Sequence, residues 1–299
     1  MRDLDLTTLR LFVLVCETGN IARAGERANI AGSAISKRLA QLEDTVGTPL
    51  LQRKRHGMTP TPAGETLLEH ARAMLASAGR IERDMAAYAA GVRGQVRILA
   101  SASALAESLA DDVAAFLQHP DHRNIQVDME ERVSPDIVRG VSDGTASVGV
   151  CWDAADVGTL TARHYRSDHL AVVVPAGHPL AKRKQVRFAD TLDYEHVSLP
   201  VASAVHVMLQ RAAAEQGRSL IHRVVVANFE AALRVVRARL AICVVPREVA
   251  EIYAQPYGVR ILALNEPWAR RRFIVCHRAN VSPAALLLVE HLAAQAGKA

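Results

Sequence analysis

The sequence predicts a multidomain α/β chain: an N-terminal winged helix-turn-helix, a long linker helix and a C-terminal α/β region with two lobes. Three observations predict this. Short amphipathic helices joined by tight turns fill residues 6–46, an unbroken helical pattern follows Pro62, and strand-like runs alternate with helical ones from residue 95 onward. A chain of 299 residues is long enough for two or three such domains.

Composition and segment lengths restrict the class of protein. Hydrophobic residues make up 50% of the chain and charged residues 22%, as is usual for a globular protein. No apolar run approaches the roughly 18 residues that span a bilayer. The N-terminal residues lack the apolar core of a signal peptide. We therefore expect a cytoplasmic protein with no membrane partner.

The net charge and the cysteine spacing restrict the class of protein less strongly. The net charge of +5 hints at a polyanionic partner. In residues 1–92, however, 12 Lys and Arg face 10 Asp and Glu, so local clustering has to identify a DNA-binding domain. The cysteines have no metal-ligand spacing, and we expect buried reduced thiols, with a redox pair left open; they are Cys16, Cys151, Cys243 and Cys276.

The first domain begins with a predicted helix over residues 6–16. Gly19 can end it, and Asn20 can cap a second short helix over 21–28. A turn at 29–32 leads into a third helix from about residue 33 to 46, whose apolar stripe is Ile35, Leu39, Leu42 and Val46. Small polar and basic residues on its other faces can reach base edges or phosphates in the major groove; they are Ser33, Ser36 and Lys37. This pattern is typical of a helix-turn-helix.

A basic tip follows the third helix directly. Arg53, Lys54 and Arg55 lie between two short segments, within residues 47–62, that can pair as a wing. Such a wing can bind phosphate from the flank of the duplex. An isolated charge run is more often a solvated surface, but its position after a helix-turn-helix favours phosphate contact.

Six motifs in residues 4–64 resemble successive signatures of the LysR-type transcriptional regulator family. They are Leu9-Arg-Leu-Phe-Val13, Glu17-Thr-Gly-Asn20, Ala34-Ile-Ser-Lys37, Gln41-Leu-Glu43, Gly47-Thr-Pro-Leu50 and Thr61-Pro-Ala-Gly64. The resemblance implies a DNA-binding transcriptional regulator that forms a homodimer, often paired into a homotetramer. It also implies that Ser36, Lys37 and Arg53 contact DNA.

The start of the third helix departs from that family, which usually has Ser-Gln-Pro-Ala there. This chain has Ala31-Gly-Ser-Ala34, so Gly32 stands at the Gln position and a base contact by that side chain is lost. We infer that Ser33 acts as the helix N-cap and as a groove contact instead. We also expect an operator that differs in sequence from those of Gln-bearing relatives.

A long helix is predicted from Pro62 to Ala90. Its apolar or small residues are spaced 4, 3, 4, 3, 4, 3, as in a heptad seam; they are Leu67, Ala71, Met74, Ala78, Ile81, Met85 and Tyr88. Such a narrow seam needs a partner. A partner within the same chain is the alternative, but pairing between two subunits fits better because a dimer presents two recognition helices to two half-sites.

After a linker at 91–94, the pattern alternates between strand and helix, which predicts a largely parallel sheet in two similar α/β units. Strands are predicted at 95–100, 125–130, 146–151, 170–174, 222–226, 241–245 and 273–277, and helices at 104–118, 135–143, 203–217, 229–238 and 283–295. Two such units suggest two lobes around a cleft. The LysR resemblance implies a periplasmic-binding-protein-like arrangement that crosses between lobes near 164–168 and returns near 265–270.

We therefore divide the chain into three domains. The winged helix-turn-helix covers 1–61, the linker and dimerisation helix 62–92, and the effector-binding domain 93–299. Within the last, lobe I comprises about 93–164 and 268–299, and lobe II about 165–267.

A small-molecule site is expected beyond the carboxyl ends of the strands, where helix N-termini point. Ser101 and Ser103 follow the first sensor strand, and Ser203 lies in the corresponding turn of the second lobe, with His206 and Phe229 on the rim. Hydroxyls beside helix N-termini suit a carboxylate or other small anion. Ordinary helix capping is the alternative for each serine.

The family usually has glycine at the position of Arg239, where a left-handed backbone would cost about 1–2 kcal/mol; the turn is therefore either rebuilt or strained. The basic run Arg270–Arg272 lies at the expected lobe crossover and favours a solvated or interlobe role over nucleic-acid binding.

We expect neither an enzyme nor a cofactor. Cys276 and His277 are adjacent on a predicted strand and point to opposite faces, and His119, Asp121 and His122 fit a polar turn better than a metal site. No phosphate-binding glycine loop or catalytic motif is present in the sequence. The expected function is a sequence-specific DNA-binding regulator controlled by a small molecule. The alternative is a small-molecule-binding protein whose N-terminal helices serve assembly.

Overall fold

The computed structural model describes residues 4–54, 57–89 and 94–297. The chain divides into two compact units, residues 1–86 with 143–145, and residues 87–142 with 146–299. Each unit has its own buried core. In order, the elements that begin in the first unit are α1 (Leu6–Thr18), α2 (Ile21–Ala28), α3 (Gly32–Val46), β1 (Leu51–Lys54), β2 (Gly57–Pro60) and α4 (Pro62–Ala89).

Local sequence signals explain the first helices. Asp5 caps α1 by accepting a hydrogen bond from the Thr8 backbone N at 3.0 Å, and Gly19 ends it in the left-handed region. Asn20 then caps α2 through its side-chain oxygen, as predicted. The predicted stripe of α3 is buried at three of its positions, Ile35, Leu39 and Leu42.

The prediction that Ser33 caps α3 is wrong. The helix begins one residue earlier, at Gly32, and its N-cap is Ala31, which makes no side-chain capping bond. Ala31, at φ −58° and ψ 135°, is the last non-helical residue, so Gly32 takes the first helical position. The Ser33 hydroxyl therefore lies in the first turn, on an exposed residue.

The wing forms as the sequence predicts. β1 and β2 are antiparallel, with Leu51 opposite Pro60 and Lys54 opposite Gly57. Glu43 Oε1 joins α3 to the wing, because it accepts hydrogen bonds from the backbone N of Leu50 at 2.7 Å and of Leu51 at 3.1 Å. Arg55, at the tip, lies outside the described residues.

Helix α4 spans 28 residues, or about 42 Å at 1.5 Å per residue. Along the predicted seam, Ala71 is buried in the core of the first unit, whereas Met74, Ile81 and Met85 are 42%, 62% and 57% exposed. The side chain of Tyr88 lies outside the described set. Among the described residues, no helix is both long enough and apolar enough to cross a membrane.

The second unit is a mixed sheet covered by helices. Its elements are β3 (Gly94–Ala100), α5 (Ala102–Ala106), α6 (Leu109–Gln118), β4 (Ile125–Glu131), α7 (Ser134–Ser142), β5 (Val148–Trp152), β6 (Thr161–Pro175), β7 (Gln185–Val186), β8 (Glu195–Ser198), α8 (Ala204–Glu215), β9 (Ile221–Val225), α9 (Phe229–Arg237), β10 (Cys243–Pro246), α10 (Arg247–Tyr257), β11 (Val259–Leu264), β12 (Arg270–His277) and α11 (Pro283–Ala293).

Two long strands join two cores. The main sheet has the order β4-β3-β5-β12-β6-β11-β7, with β10 also paired to β6, while β8 and β9 pair separately. One core lies under β3, β5 and α11, and the other surrounds the second half of β6 with α8, α9 and β10. We call these lobe I and lobe II. β6 and β12 run antiparallel through both, and we call them the crossing strands.

Parallel and antiparallel pairing occur in both lobes. β3 pairs in parallel with β4 and β5, as predicted. In lobe II, β8 and β9 pair in parallel, as do β7 and β11, but β10 and β11 are antiparallel to β6. The expectation of a parallel sheet in a second, similar unit is therefore wrong for the strands that pair with β6. The physical reason is that β6 is a single strand of 15 residues that enters lobe II from lobe I and pairs along its length with strands running the other way.

Helix 104–118 is also not continuous. It is divided into α5 and α6 at Glu107, whose backbone adopts φ −97° and ψ −125°, and Ser108. α10 and β11 were not predicted, and Pro256 inside α10 obscures the helical signal. Arg239 adopts φ 62°, so the turn after α9 keeps its left-handed residue rather than being rebuilt.

Candidate functional site

The exposed face of α3 brings together the residues that the sequence singled out. Ser33, Ser36 and Lys37 are all exposed. Their spacing of i, i+3 and i+4 puts them on one side of the helix. This face presents two hydroxyls and one ammonium group, the donors and acceptors that suit base edges and phosphates.

The wing supplies further cations. Arg53 and Lys54 are exposed on β1. The position of the wing is set by Glu43 and by a hydrogen bond from Met58 N to Gly19 O at 2.8 Å. Gly57 permits that contact, because it has φ +134° and a Cβ there would lie 2.3 Å from Gly19 O. Sequence reasoning missed the role of Glu43, although its one signal, a carboxylate next to the stripe of α3, was visible.

A cleft of about 390 Å³ lies between the lobes of the second unit. Lobe I contributes residues 101–106 and 131–134, and lobe II contributes residues from 199–205, 227–230 and 249–253. The N-termini of α8 and α9 border it, capped by Ser203 and Asn228. The carboxyl ends of β3 and β8 lead into it, as expected for an α/β fold.

The three predicted serines all line this cleft. The Ser101 Oγ atom is buried and has no hydrogen-bond partner among the described atoms. Ser103 Oγ accepts a hydrogen bond from Arg271 Nη2 at 3.2 Å. Ser203 is an ordinary N-cap as well, since its Oγ accepts from His206 N at 3.2 Å. A buried hydroxyl without a partner is costly, so Ser101 is suited to bind a polar atom that enters the cleft.

The two predicted rim residues differ. Phe229 is 4% exposed and lines the cleft. His206 instead lines a second, smaller cavity with His196 and His222. Its Nδ1 lies 2.6 Å from Ser198 Oγ, and its ring stacks on His222 at 5.3 Å. Burial lowers the pKa of His196 to about 4.

The cleft lining is mostly apolar. Its charged members among the described residues, Glu131, Arg132 and Glu230, are all exposed. Arg132 pairs with Glu130, and Glu230 pairs with Arg234 at 2.7 Å. The apolar members include Leu105, Val133, Leu199, Val249, Ile252 and Tyr253. This lining suits a molecule with an apolar body and one polar head.

Behind Ser103 lies a buried polar group that sequence reasoning missed. Arg271 is 1% exposed and Asp168 is 6% exposed. The Arg271 guanidinium binds both Asp168 oxygens, with Nε to Oδ1 at 2.9 Å. Burial and, next, the neighbouring Asp168 carboxylate together raise the pKa of Glu107 to about 10. We call Ser103, Glu107, Asp168 and Arg271 the crossover cluster.

Other chemistry is sparse in the described residues. No group of three or more His, Cys, Asp or Glu there could hold a metal ion. Cys151, Cys243 and Cys276 are buried free thiols, and Cys16 is half-buried. Burial raises the pKa of Cys16 to about 11.

Comparison with known proteins agrees with this architecture. The family model "LysR substrate binding domain" matches residues 89–297. The model "Bacterial regulatory helix-turn-helix protein, lysR family" matches residues 6–65. The chain is 27% identical to the small neutral protease regulatory protein of Streptomyces coelicolor, over 87% of this chain and 81% of the relative. It is 24% identical to the RuBisCO operon transcriptional regulator of Allochromatium vinosum, over 98% and 97%. Among solved structures, it resembles full-length CbnR complexed with its target DNA, with a TM-score of 0.66, 24% identity and coverage of 97% and 99%.

Proposed function

The chain belongs to the LysR family of bacterial transcriptional regulators, and from this premise we propose that α3 and the wing bind operator DNA under the control of a small molecule in the cleft. The observation that carries the proposal is the shared exposed face of Ser33, Ser36 and Lys37, next to a wing bearing Arg53 and Lys54. A helix presents such a face to the major groove, while wing cations bind flanking phosphates. Arg55 extends the same basic tip in the sequence.

The test of DNA binding uses the promoter region of the protein's own gene in a gel-retardation assay. We expect Lys37→Ala and Arg53→Ala each to weaken binding about tenfold and to reduce the salt dependence of the binding constant. Lys182→Ala, an exposed lysine of lobe II, is the matched control and should bind as the wild type. Equal affinity of all four proteins, or no retardation at moderate salt, would contradict the proposal.

The proposed effector is an amphipathic molecule with a single carboxylate or other small anionic head. Ser101, Ser103 and Ser203 would meet the head, and Phe229 and the apolar lining would enclose the body. A dianion fits less well, because Arg132, the cation among the described lining residues, is exposed and already paired with Glu130, and the other charged lining residues are carboxylates. His206 would act indirectly, through the turn that Ser203 caps.

The test of the effector class is a thermal-shift series. Ligand that binds only the folded chain raises its melting temperature by mass action. We expect monocarboxylates with an aromatic or branched body to raise it, and dicarboxylates of the same size to do so less. Ser101→Ala and Ser203→Ala should abolish the shift. If both variants respond as the wild type does, the serines are not the binding groups.

We also propose that the active species is a homodimer joined through α4, with a homotetramer as the further assembly. Met74, Ile81 and Met85 support this, because they form an exposed apolar stripe on the part of the helix that follows the buried Ala71 in sequence. Two recognition helices held by one dimer would match two half-sites of an operator.

A further inference from the structure

The crossover cluster lies where the two lobes are joined. Asp168 on β6 and Arg271 on β12 are direct cross-strand partners. The pairing register between these strands shifts between Arg272 and Ile274, so the ion pair borders a β-bulge. Bulges bend and twist a ladder, which makes this the natural point for a change in lobe angle.

The same ion pair is connected to the cleft. Arg271 Nη2 donates to Ser103 Oγ at 3.2 Å, and Ser103 lines the cleft wall. Since the Ser103 oxygen accepts that bond, its own proton is left to donate elsewhere. A ligand head that accepts this proton would polarise the hydroxyl and strengthen its bond to Arg271, because hydrogen bonds in a buried chain reinforce one another.

Glu107 completes the cluster from the turn between α5 and α6. Its Oε1 atom is buried with no hydrogen-bond partner among the described atoms, and so is Arg271 Nη1. The next residue, Ser108, donates from Oγ to Glu248 Oε2 of lobe II at 3.1 Å. The turn therefore contacts both the crossing strands and the opposite lobe.

Burial, followed by the charges around Glu107, favours its protonated form. Asp168 of β6 and Glu248 of α10 disfavour a second anion, while Arg271 of β12 favours one. Arg271 is already neutralised by both oxygens of Asp168. A buried carboxyl beside a paired carboxylate keeps its proton and acts as a donor.

We propose that the crossover cluster transmits ligand binding in the cleft to the crossing strands. In this proposal Glu107 is a neutral carboxylic acid that donates a hydrogen bond to Asp168, and Arg271 is the positioning residue. The proposal rests on the proposed function in one respect, that the effector binds in the cleft. It extends that function by naming the contacts through which the lobe angle responds. Without the Glu107 donor, the Asp168 side chain should be held less firmly. Without the Ser103 acceptor, the positive charge of Arg271 should act more strongly on its neighbours.

The first test needs no ligand and uses the full chain. The infrared difference spectrum between wild type and Glu107→Gln should show the C=O stretch of a protonated carboxyl group at pH 7.5. In Ser103→Ala the apparent pKa of Glu107 should shift downward, because the guanidinium loses an acceptor and its positive field acts more strongly on Glu107. Ser167→Ala is the matched control, since Ser167 is exposed on β6 next to Asp168.

A second measurement reports the lobe angle. Spin labels on cysteines introduced by Gln118→Cys and Gln216→Cys, in a Cys16→Ser background, give the distance between exposed sites of lobes I and II. Glu107→Gln keeps a donor and should retain the narrow wild-type distribution. Glu107→Ala loses the donor and should broaden it.

Three results would overturn the proposal: an ionised Glu107 at pH 7.5, a Ser103→Ala titration that coincides with the wild type, or equally narrow distances in Glu107→Ala and Glu107→Gln. DNA retardation is scored on the same samples. A chain that binds no DNA contradicts the proposed function whatever the state of Glu107. A chain that binds DNA with an ionised Glu107 contradicts only the coupling.

Discussion

Gly32 is the residue at which helix α3 departs most clearly from the usual sequence of the family. A Cβ at Gly32 would meet Ile21 Cγ2 at 3.5 Å, an ordinary contact, so a side chain fits there. We predict that Gly32→Gln stabilises the first unit by about 0.5–1 kcal/mol, because glycine is a poor helix former. The new amide should also change the preferred operator, because glutamine reads adenine. Denaturation followed by circular dichroism and binding-site selection from a randomised DNA pool measure the two effects.

The control for that substitution is Gly25. A Cβ there would lie 2.6 Å from the backbone O of Ile30, so Gly25→Ala should destabilise the helix-turn-helix. If Gly32→Gln selects the same operator with unchanged affinity, position 32 does not contact the bases.

Arg239 stores strain that a single substitution can release. It is exposed and has φ 62°, a conformation that costs an L-residue about 1–2 kcal/mol. Glycine removes that cost but loses more backbone entropy on folding. We predict that Arg239→Gly raises the free energy of unfolding of the second unit by about 0.5–1 kcal/mol. Arg239→Ala, which keeps the strain, should give no gain, and both are measured by urea unfolding. Equal stabilisation by alanine would show that the arginine side chain, not the backbone, is responsible.

At the scale of elements, the sequence predicted what depends on local signals. The boundary between the first two helices was predicted from Gly19 and Asn20, which form caps within a few residues. The wing follows because a short basic run lies between segments that pair with each other. The start of α3 was missed by one residue because the N-cap, Ala31, makes no side-chain bond that would mark the boundary.

Elements that depend on distant contacts were not predictable in this way. The break between α5 and α6 occurs where Glu107 meets Asp168, about 60 residues away in sequence, and no local breaker marks it. The mixed pairing of lobe II depends on the length of β6. In the sequence this strand looks like a short apolar run that follows a polar run. The serines of the cleft were predictable because they follow strand ends. Asp168 and Arg271 were not, since each is a charged residue in a polar run until the crossing strands bring them together.

Helix α4 carries the exposed apolar stripe of the proposed dimer. Ile81 is 62% exposed on the proposed dimer seam. Ile81→Glu places a charge in that seam, so we expect it to shift the chain from dimer toward monomer in sedimentation-velocity experiments. His70→Glu adds the same charge at an exposed position off the seam and should remain dimeric. A dimer that is equally stable in both variants would place the interface elsewhere.

On the scale of the whole molecule, the two units can be followed separately. Both tryptophans, Trp152 and Trp268, belong to the second unit, so fluorescence reports the unfolding of the sensor alone. Two buried groups make its stability depend on pH. Burial lowers the pKa of His196 to about 4 and raises that of Glu107 to about 10. Their usual values are 6.5 and 4.5.

His196 and Glu107 change the free energy of unfolding in opposite directions as pH rises, and they do so over different pH ranges. The stability that His196 contributes is complete above pH 6.5 and is lost as pH falls toward 4, because the unfolded chain then binds a proton that the folded chain excludes. The stability that Glu107 contributes is complete below pH 4.5 and is lost as pH rises toward 10, because the folded chain retains a proton that the unfolded chain releases. Between pH 4.5 and 6.5 the two groups change the free energy of unfolding in opposite directions. Above pH 6.5 only the contribution of Glu107, of these two, still changes with pH.

We therefore predict that the free energy of unfolding of the sensor falls by up to about 1.4 kcal/mol per pH unit between pH 6.5 and 9.5. Glu107→Gln, which mimics the protonated acid, should remove most of that slope and be more stable than the wild type at pH 9. Glu215→Gln, at an exposed position on α8, is the control and should keep the wild-type slope. Urea unfolding monitored by tryptophan fluorescence at several pH values measures all three. Because the proposed coupling requires a neutral Glu107, a wild-type slope in Glu107→Gln would contradict the coupling as well.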